Sequence, residues 1–245
     1  MEQEIDFEKR YRLVREIIET VVLTILIFLI IRLAVQNFNI DGMSMEPNLH
    51  NQELIIVDKW SYLFHAPARG DVIVFIAPPN PSQDYIKRIV GLPGDVITIQ
   101  DTTVTVNGKA LREPYIAPDR QGNPYQPFAN RVVPPDAYFV LGDNRNGSSD
   151  SRDWGCVPRQ NVIGQAALVY WPLGQDNMGV LPGVTSTFAN VPPKKAVTST
   201  NMCPILHQYN PAAAASPKGN ALDINMLLLL AMPGMFVAYK RRRRA

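Results

Sequence analysis

The apolar positions of this chain change period along its length, and each change predicts a different kind of element. From Ile17 to Val35 the only polar residues are Glu19, Thr20, Thr24 and Arg32. A run apolar on all faces and about 20 residues long predicts a membrane-spanning helix, 17–36, rather than a core helix. Glu19 and Arg32 stand near its ends, where long side chains reach the interface. The competing reading is a cleaved secretory signal peptide. It asks for a shorter run and an A-x-A-like site, and Gln36-Asn37-Phe38-Asn39 offers none.

Period two follows. Glu53–Asp58, Asp71–Phe75 after the turn Arg69-Gly70, and Tyr85–Val90 before Gly91-Leu92-Pro93-Gly94 read as strands. Asp95–Gln100 and Thr103–Asn107 alternate as a hairpin, and Ala137–Leu141 and Ala166–Tyr170 complete the set. Many short strands with no convincing helix between them predict an all-β domain of antiparallel sheets over residues 38–174. Such a length holds its own core. Residues 175–220 lose the pattern. Pro192-Pro193, Pro204, Pro211, Ala212 to Ala215 and Pro217 stand among Ser, Thr and Asn, which predicts a loose spacer. Met226–Tyr239 is apolar again, extendable back to Ala221, and interrupted by Pro233-Gly234. Both residues are tolerated in membrane helices, so a second span over 221–239 is expected. An interfacial helix and a sorting tail are the alternatives.

Charge sets the orientation. The net charge of +2 points to no particular partner, but Lys9, Arg10, Arg12 and Arg15 precede the first apolar run and Lys240 to Arg244 follow the last. Basic flanks stay inside, so residues 1–16 and 240–245 are expected in the cytoplasm. The β domain then lies on the extracytoplasmic side of the plasma membrane. No basic or aromatic stripe suggests nucleic acid. Cys156 and Cys203 have neither metal-ligand spacing nor a CxxC pattern, and no metal or cofactor is expected. Outside the cell they can form one disulfide. Because Cys203 falls in the spacer, two free thiols or a non-essential bridge are favoured.

Ile40-Asp41-Gly42-Met43-Ser44-Met45-Glu46-Pro47-Asn48-Leu49 follows the first span directly. Gly42 permits a positive φ, and Pro47 fixes its own φ and extends Glu46. A serine in so stiff a turn can present its hydroxyl, though a membrane-proximal turn explains the same residues. Serine needs a base. His50, His65 and His207 show no obvious orienting carboxylate in sequence and read as loop histidines. Lys87 interrupts an apolar strand on the face of Tyr85 and Ile89, with Arg88 on the other. One of the two must face the apolar side. To act as a base near neutrality a lysine must lose about 3 pKa units, about 4 kcal/mol, which burial can supply. An edge-strand lysine with its amine in water is the plainer alternative. Gly142 to Gly155 crowds aspartates, arginines, asparagines and serines beside Trp154. It reads either as a solvated Asx-turn loop or as a polar network in which Arg152 clamps Asp150.

Four blocks in order give these residues a common reading. Ser44–Leu49, Arg69–Phe75, Tyr85–Asp95 and Gly142–Gly155, behind a membrane span, resemble the boxes of bacterial type I signal peptidases, peptidase family S26. These are membrane-bound serine proteases with a Ser-Lys dyad. The resemblance covers residues 15 to about 173 and implies an all-β catalytic domain. It implies Ser44 as nucleophile and Lys87 as general base. Ser148 would orient the amine, and Asp150 with Arg152 would form a supporting ion pair, Asp143 and Arg145 being structural. Ser44 and Gly42 fall at the oxyanion hole, and Ile40, Met45, Tyr85 and Ile86 where small side chains are bound. The implied reaction is cleavage of signal peptides from exported preproteins after an A-x-A-like site, through an acyl-enzyme. The implied partners are those signal peptides, membrane lipid and a nearby secretion translocon. Gly42 stands where some members carry a serine, Asn48 replaces a commoner threonine, and Asn146-Gly147 replaces a commoner Asp-Asn. Two further functions fit the boxes: a specialised Ser-Lys protease for one pilin or conjugation substrate, and an inactive membrane-anchored binding module.

Overall fold

The computed structural model describes residues 2–121, 125–174, 176–193 and 201–206. His207, the expected second span and the basic tail lie outside the described residues. The first apolar run is helical, within α1 (Glu2–Ala34). Its span-like part, Arg10–Ala34, has a mean hydropathy of 2.5, and none of it is buried. At 1.5 Å per residue it is about 37 Å long, enough for a hydrocarbon core of about 30 Å. Among the described residues it is the one helix long and apolar enough to cross a membrane.

The helix ends earlier than expected. Val35 opens β1 (Val35–Asn39), because β2 (Leu54–Asp58) supplies an antiparallel partner from Val35↔Asp58 to Asn39↔Leu54. Then come β3 (Val72–Ile76), β4 (Asp84–Gly91) and the hairpin β5 (Val96–Asp101) and β6 (Thr103–Val106). They are followed by β7 (Lys109–Ala110), β8 (Tyr125–Val132) and β9 (Ala137–Leu141). The chain closes with β10 (Val157–Pro158), β11 (Val162–Trp171) and β12 (Gly179–Val180). Short helical turns interrupt them: α2 (Ser61–Phe64), α3 (Ser151–Trp154) and α4 (Thr185–Phe188).

These strands form two antiparallel sheets. The larger has the order β1-β2-β11-β3-β4-β9-β10, with β12 on β11, and the smaller β7-β6-β5-β8. β4 is an interior strand. β3 pairs it from Asp84 to Arg88 and β9 from Arg88 onward. At Lys87 only β3 pairs β4 among the described residues, so it is burial and not strand position that corrects the alternative of an amine in water. Both faces of β4 are covered, so Lys87 and Arg88 are each only 4% exposed, although they point to opposite sides.

The body does not stop at Gly174. β12 adds to β11, and Phe188 packs with Val184, Val191 and Ile205 against the core formed by β5, β6 and β9. Cys203 joins the same cluster and is disulfide-bonded to Cys156, with Cα atoms 5.8 Å apart. The expectation of free thiols fails because the segment carrying Cys203 is not loose. Cys203 N–H donates to the Val132 carbonyl at 2.8 Å and Cys156 N–H to the Pro204 carbonyl at 2.8 Å. Gly155, with φ of +94°, passes so close to Pro204 that a Cβ there would overlap its carbonyl.

Candidate active site

Ser44 sits in the loop between β1 and β2. Two backbone bonds close the base of that loop, Ile40 N–H to the Glu53 carbonyl and Gln52 N–H to the Ile40 carbonyl, both 2.8 Å. Met45 and Leu49, each 1% exposed, plug it into the core between β2, β3 and β11. Gly42 turns the chain with φ of +106°, and its N–H donates to Asn51 Oδ1 at 2.8 Å. Neutral residues therefore fix the turn and leave its hydroxyl to be decided by what approaches it.

What approaches is Lys87. Its Nζ lies 2.7 Å from Ser44 Oγ and 2.9 Å from the Ile86 carbonyl. Arg88, next in sequence, is held on the opposite side of β4 by a bidentate pair with Asp143, at 2.8 and 2.6 Å. Tyr115 covers that guanidinium, its ring centroid 4.6 Å away. Burial lowers the Lys87 pKa from 10.5 to about 8. Asp150 and Asp143 oppose that fall, and Arg152 adds to it. An amine that loses water without gaining a paired carboxylate is pushed toward its neutral form. Against a serine hydroxyl it can then accept a proton.

The polar box after β9 ties the two sides together. Asn144 N–H donates to the Ser44 carbonyl and its Nδ2 to the Met43 carbonyl, both at 3.0 Å. Asn48 Nδ2 donates to Asp143 Oδ2 and to the Tyr115 carbonyl, both at 2.8 Å. Asp150, fully buried, accepts from Arg152 Nε at 2.7 Å and Nη2 at 2.8 Å, and from Gly142 N–H at 3.0 Å. It also caps α3 in a reciprocal capping box with Asp153. Arg145 is buried on Glu113. The box is a hydrogen-bonded network and not a solvated loop, with Ser148 Oγ and Trp154 Nε1 its buried atoms without a partner among the described residues.

The expected substrate-binding residues divide. Ile40, Tyr85 and Ile86 line a cleft of about 250 Å³ together with Ser44, Lys87, Phe38, Ile55 and Val74. Met45 is not among the lining residues. It is a core residue, because the turn after Ser44 directs its side chain inward. Ser148 stands apart from its expected role as well. Its Oγ is buried without a hydrogen-bond partner among the described residues, while the amine is taken by Ser44 and Ile86. Gly142 makes room for it, since a Cβ there would overlap Ser148 Oγ and the Ser44 carbonyl. The Gly42 N–H, expected at the oxyanion hole, is occupied by Asn51. Ser44 N–H has no bond to any described residue.

Several residues had no signal of their own in the sequence. Asn144 was one asparagine among several in a polar loop. Glu113 and Tyr115 lie between strands with no pattern, and Phe38 stands at the expected start of the β domain with no strand predicted over it. His50 has a carboxylate after all: its Nδ1 is 2.9 Å from Glu53 Oε1. The spacing of three was readable, but that pair bonds to Asn177 and not to Ser44.

Residues 14–171 match the family model described as signal peptidase, peptidase S26. Signal peptidase I of Leptolyngbya laminosa is 42% identical over 168 residues, 64% of this chain and 80% of that protein. Signal peptidase I of Bacillus caldolyticus is 41% identical over 149 residues, 57% of this chain and 81% of that protein. The crystal structure of a signal peptidase I from Enterococcus faecalis V583 is 35% identical, covering 42% of this chain and 98% of that one, with a TM-score of 0.37. The match runs through the end of α1, the Ser44 loop, β4 and the polar box, so the chain belongs to the type I signal peptidases of peptidase family S26, serine-type enzymes whose substrates are the signal peptides of preproteins.

Proposed function

We propose that Ser44 is the nucleophile of this signal peptidase and Lys87 its general base. The observation that carries the reading is the 2.7 Å contact between Lys87 Nζ and Ser44 Oγ, made by a buried amine whose pKa is lowered to about 8. Neutral Lys87 takes the hydroxyl proton as Oγ attacks the scissile carbonyl, and Ser44 N–H stabilises the oxyanion. The protonated lysine gives its proton to the leaving amine, and water then opens the acyl-enzyme with Lys87 again as base. Ser148, whose Oγ is buried with no partner among the described residues, orients the amine, and Asp150 with Arg152 keeps the box in place. Gly42 serves by its φ, with Asn51 on its N–H.

The substrate lies extended in the cleft. β1 has a strand on one side only among the described residues, and residues 84–87 of β4 are paired by β3 and not by β9. Phe38 to Ile40 and Tyr85 to Lys87 border the cleft on its two sides and suit an added peptide strand. Phe38, Ile40 and Ile86 leave room for small side chains, in keeping with an A-x-A-like site. Four basic residues before the span put the N-terminus in the cytoplasm and the body outside the plasma membrane, near the translocon that delivers preproteins. The Cys156–Cys203 disulfide suits that oxidising side. We extend the reading to a second span at 221–239 with the basic tail inside. A C-terminal tag digested from outside sealed vesicles excludes it.

The test is cleavage of a preprotein with an A-x-A site by full-length Ser44→Ala and Lys87→Ala. Both are expected to lose processing, and wild-type rate in either one rejects the dyad. A wild type that leaves general preproteins intact but cuts one dedicated substrate is the specialised protease. One that binds signal peptides and cuts none is the binding module.

A further inference from the structure

The family match ends at Trp171, and the chain then turns back toward the loop that carries Ser44. β12 returns along β11 with Leu168↔Val180 and Val169↔Gly179, and Leu181 N–H donates to the Ala167 carbonyl at 3.2 Å. β11 is also the neighbour of β2, with Trp171 opposite Leu54. The connection between β11 and β12 therefore comes beside Glu53, where the Ser44 loop closes. Leu181 packs on the apolar cluster that Met45 and Leu49 plug.

Asn177 lies in that connection and reaches the loop. Its Nδ2 is 2.9 and 3.0 Å from the two oxygens of the Glu53 carboxylate and 3.0 Å from the Asn48 carbonyl. A side-chain amide carries two N–H groups, so one serves Glu53 and the other Asn48. Its Oδ1 is buried without a partner among the described residues, so the side chain is held there as a donor. Glu53 is 1% exposed and accepts from His50 N–H at 2.9 Å, with His50 Nδ1 also 2.9 Å away. A carboxylate so buried depends on its donors, and losing one forces its surroundings to rearrange. Those surroundings are the loop itself.

Asn48 is where the bond acts on the serine. Its N–H donates to the Met45 carbonyl at 3.0 Å and closes the turn that follows Ser44. Its side chain is held by Asp143 and the Tyr115 carbonyl, while Asn144 holds the Ser44 and Met43 carbonyls. The polar box thus fixes one side of the turn, and Asn177 fixes the Asn48 carbonyl from a segment beyond the family match. We propose that Asn177 is a positioning residue for the nucleophile, acting through its bond to Glu53 and with it through Asn48 to keep Ser44 Oγ 2.7 Å from Lys87 Nζ. The inference rests on Ser44 being the nucleophile, and the experiment separates the two.

A misplacement of about 1 Å in an active site costs about 100-fold in rate. Full-length Asn177→Ala, assayed in detergent on a soluble signal-sequence peptide, is therefore expected to lower kcat by about 10–100-fold. KM should stay unchanged, because Asn177 does not line the cleft. Asn107→Ala is the control for general loosening. Asn107 Nδ2 donates to the Pro192 carbonyl at 2.9 Å, tying the same trailing segment to the smaller sheet. That variant should lower the melting temperature and keep its kcat. Asn177→Asp sets a second carboxylate against Glu53 and should be slower than Asn177→Ala. Adding Glu53→Gln reverses the pair, the glutamine amide donating to the aspartate, and should recover kcat by about tenfold over Asn177→Asp alone. Wild-type kcat in Asn177→Ala beside an inactive Ser44→Ala overturns the positioning role and leaves the nucleophile in place. A Ser44→Ala that still cleaves overturns both. An equal loss of kcat in Asn107→Ala assigns the effect to loosening of the fold, and a double variant no faster than Asn177→Asp shows that the bond to Glu53 is not what positions the loop. Either result rejects the proposal.

Discussion

The activity of this enzyme should follow the neutral fraction of Lys87. With a pKa near 8 instead of 10.5, about one lysine in ten is neutral at pH 7, against about three in ten thousand for an unperturbed one, a gain of about 300-fold. The kcat/KM for a fluorogenic signal-sequence peptide, measured on the full chain in detergent, should rise about tenfold per pH unit below that inflection and level off above it. The informative perturbation is Asp150→Asn. Asp150 is the foremost group opposing the fall in the Lys87 pKa, and it also neutralises Arg152, whose charge lowers it. Loss of the carboxylate withdraws one effect and frees the other, and both act in the same direction. The inflection should therefore move to lower pH even as the plateau falls. Breaking a buried ion pair costs about 3–5 kcal/mol, so the variant must be assayed below its unfolding temperature. An inflection near 10.5 in the wild type, or one that moves up in Asp150→Asn, would refute the electrostatic account.

The same shift bears on stability. The folded pKa lies below the unfolded one, so the unfolded chain binds more protons between about pH 8 and 10.5, and stability rises with pH through that window. The penalty is fully present below pH 8, and 10.5 − 8 units amount to about 3 kcal/mol. Lys87→Met should therefore be inactive yet unfold at a higher temperature than wild type at pH 7, the difference vanishing above pH 10.5. Gly142→Ala should lower kcat about 100-fold and destabilise by about 1–3 kcal/mol, because its Cβ must displace Ser148 or the Ser44 carbonyl. A near-normal rate would mean that the loop yields without moving the nucleophile. Cys203→Ser should lose about 4 kcal/mol, as expected for a sequence separation of 47, and reductant should then change the melting temperature of wild type but not of the variant.

The sequence by itself determined the elements whose signal is local. A run apolar on all faces is a long helix wherever it sits, and Ile97-Thr98-Ile99 facing Val104-Thr105-Val106 can form a hairpin with no help from elsewhere. The boxes around Ser44, Lys87 and Asp150 were legible too, though only as four blocks in a fixed order that resemble one family, because each alone also reads as an ordinary turn, strand or polar loop. What the tertiary structure decided is everything that depends on a partner distant in sequence. Val35 and Gln36 read as the end of the span and Asn37 to Asn39 as a link after it, and Val35–Asn39 becomes a strand only because β2 lies beside it. Cys203 looks like part of a spacer and is buried only because the chain returns to Val132 and Cys156. Alternation gave Lys87 and Arg88 their opposite faces but not the cover on both. That cover comes from distant segments, the Ser44 loop over Lys87 and Asp143 with Tyr115 over Arg88, and it separates a solvated lysine from one whose pKa is near 8. Faces are a property of the local backbone, whereas desolvation is a property of the whole fold. The inward turn of Met45 and the position of the Ser148 hydroxyl belong to the second kind.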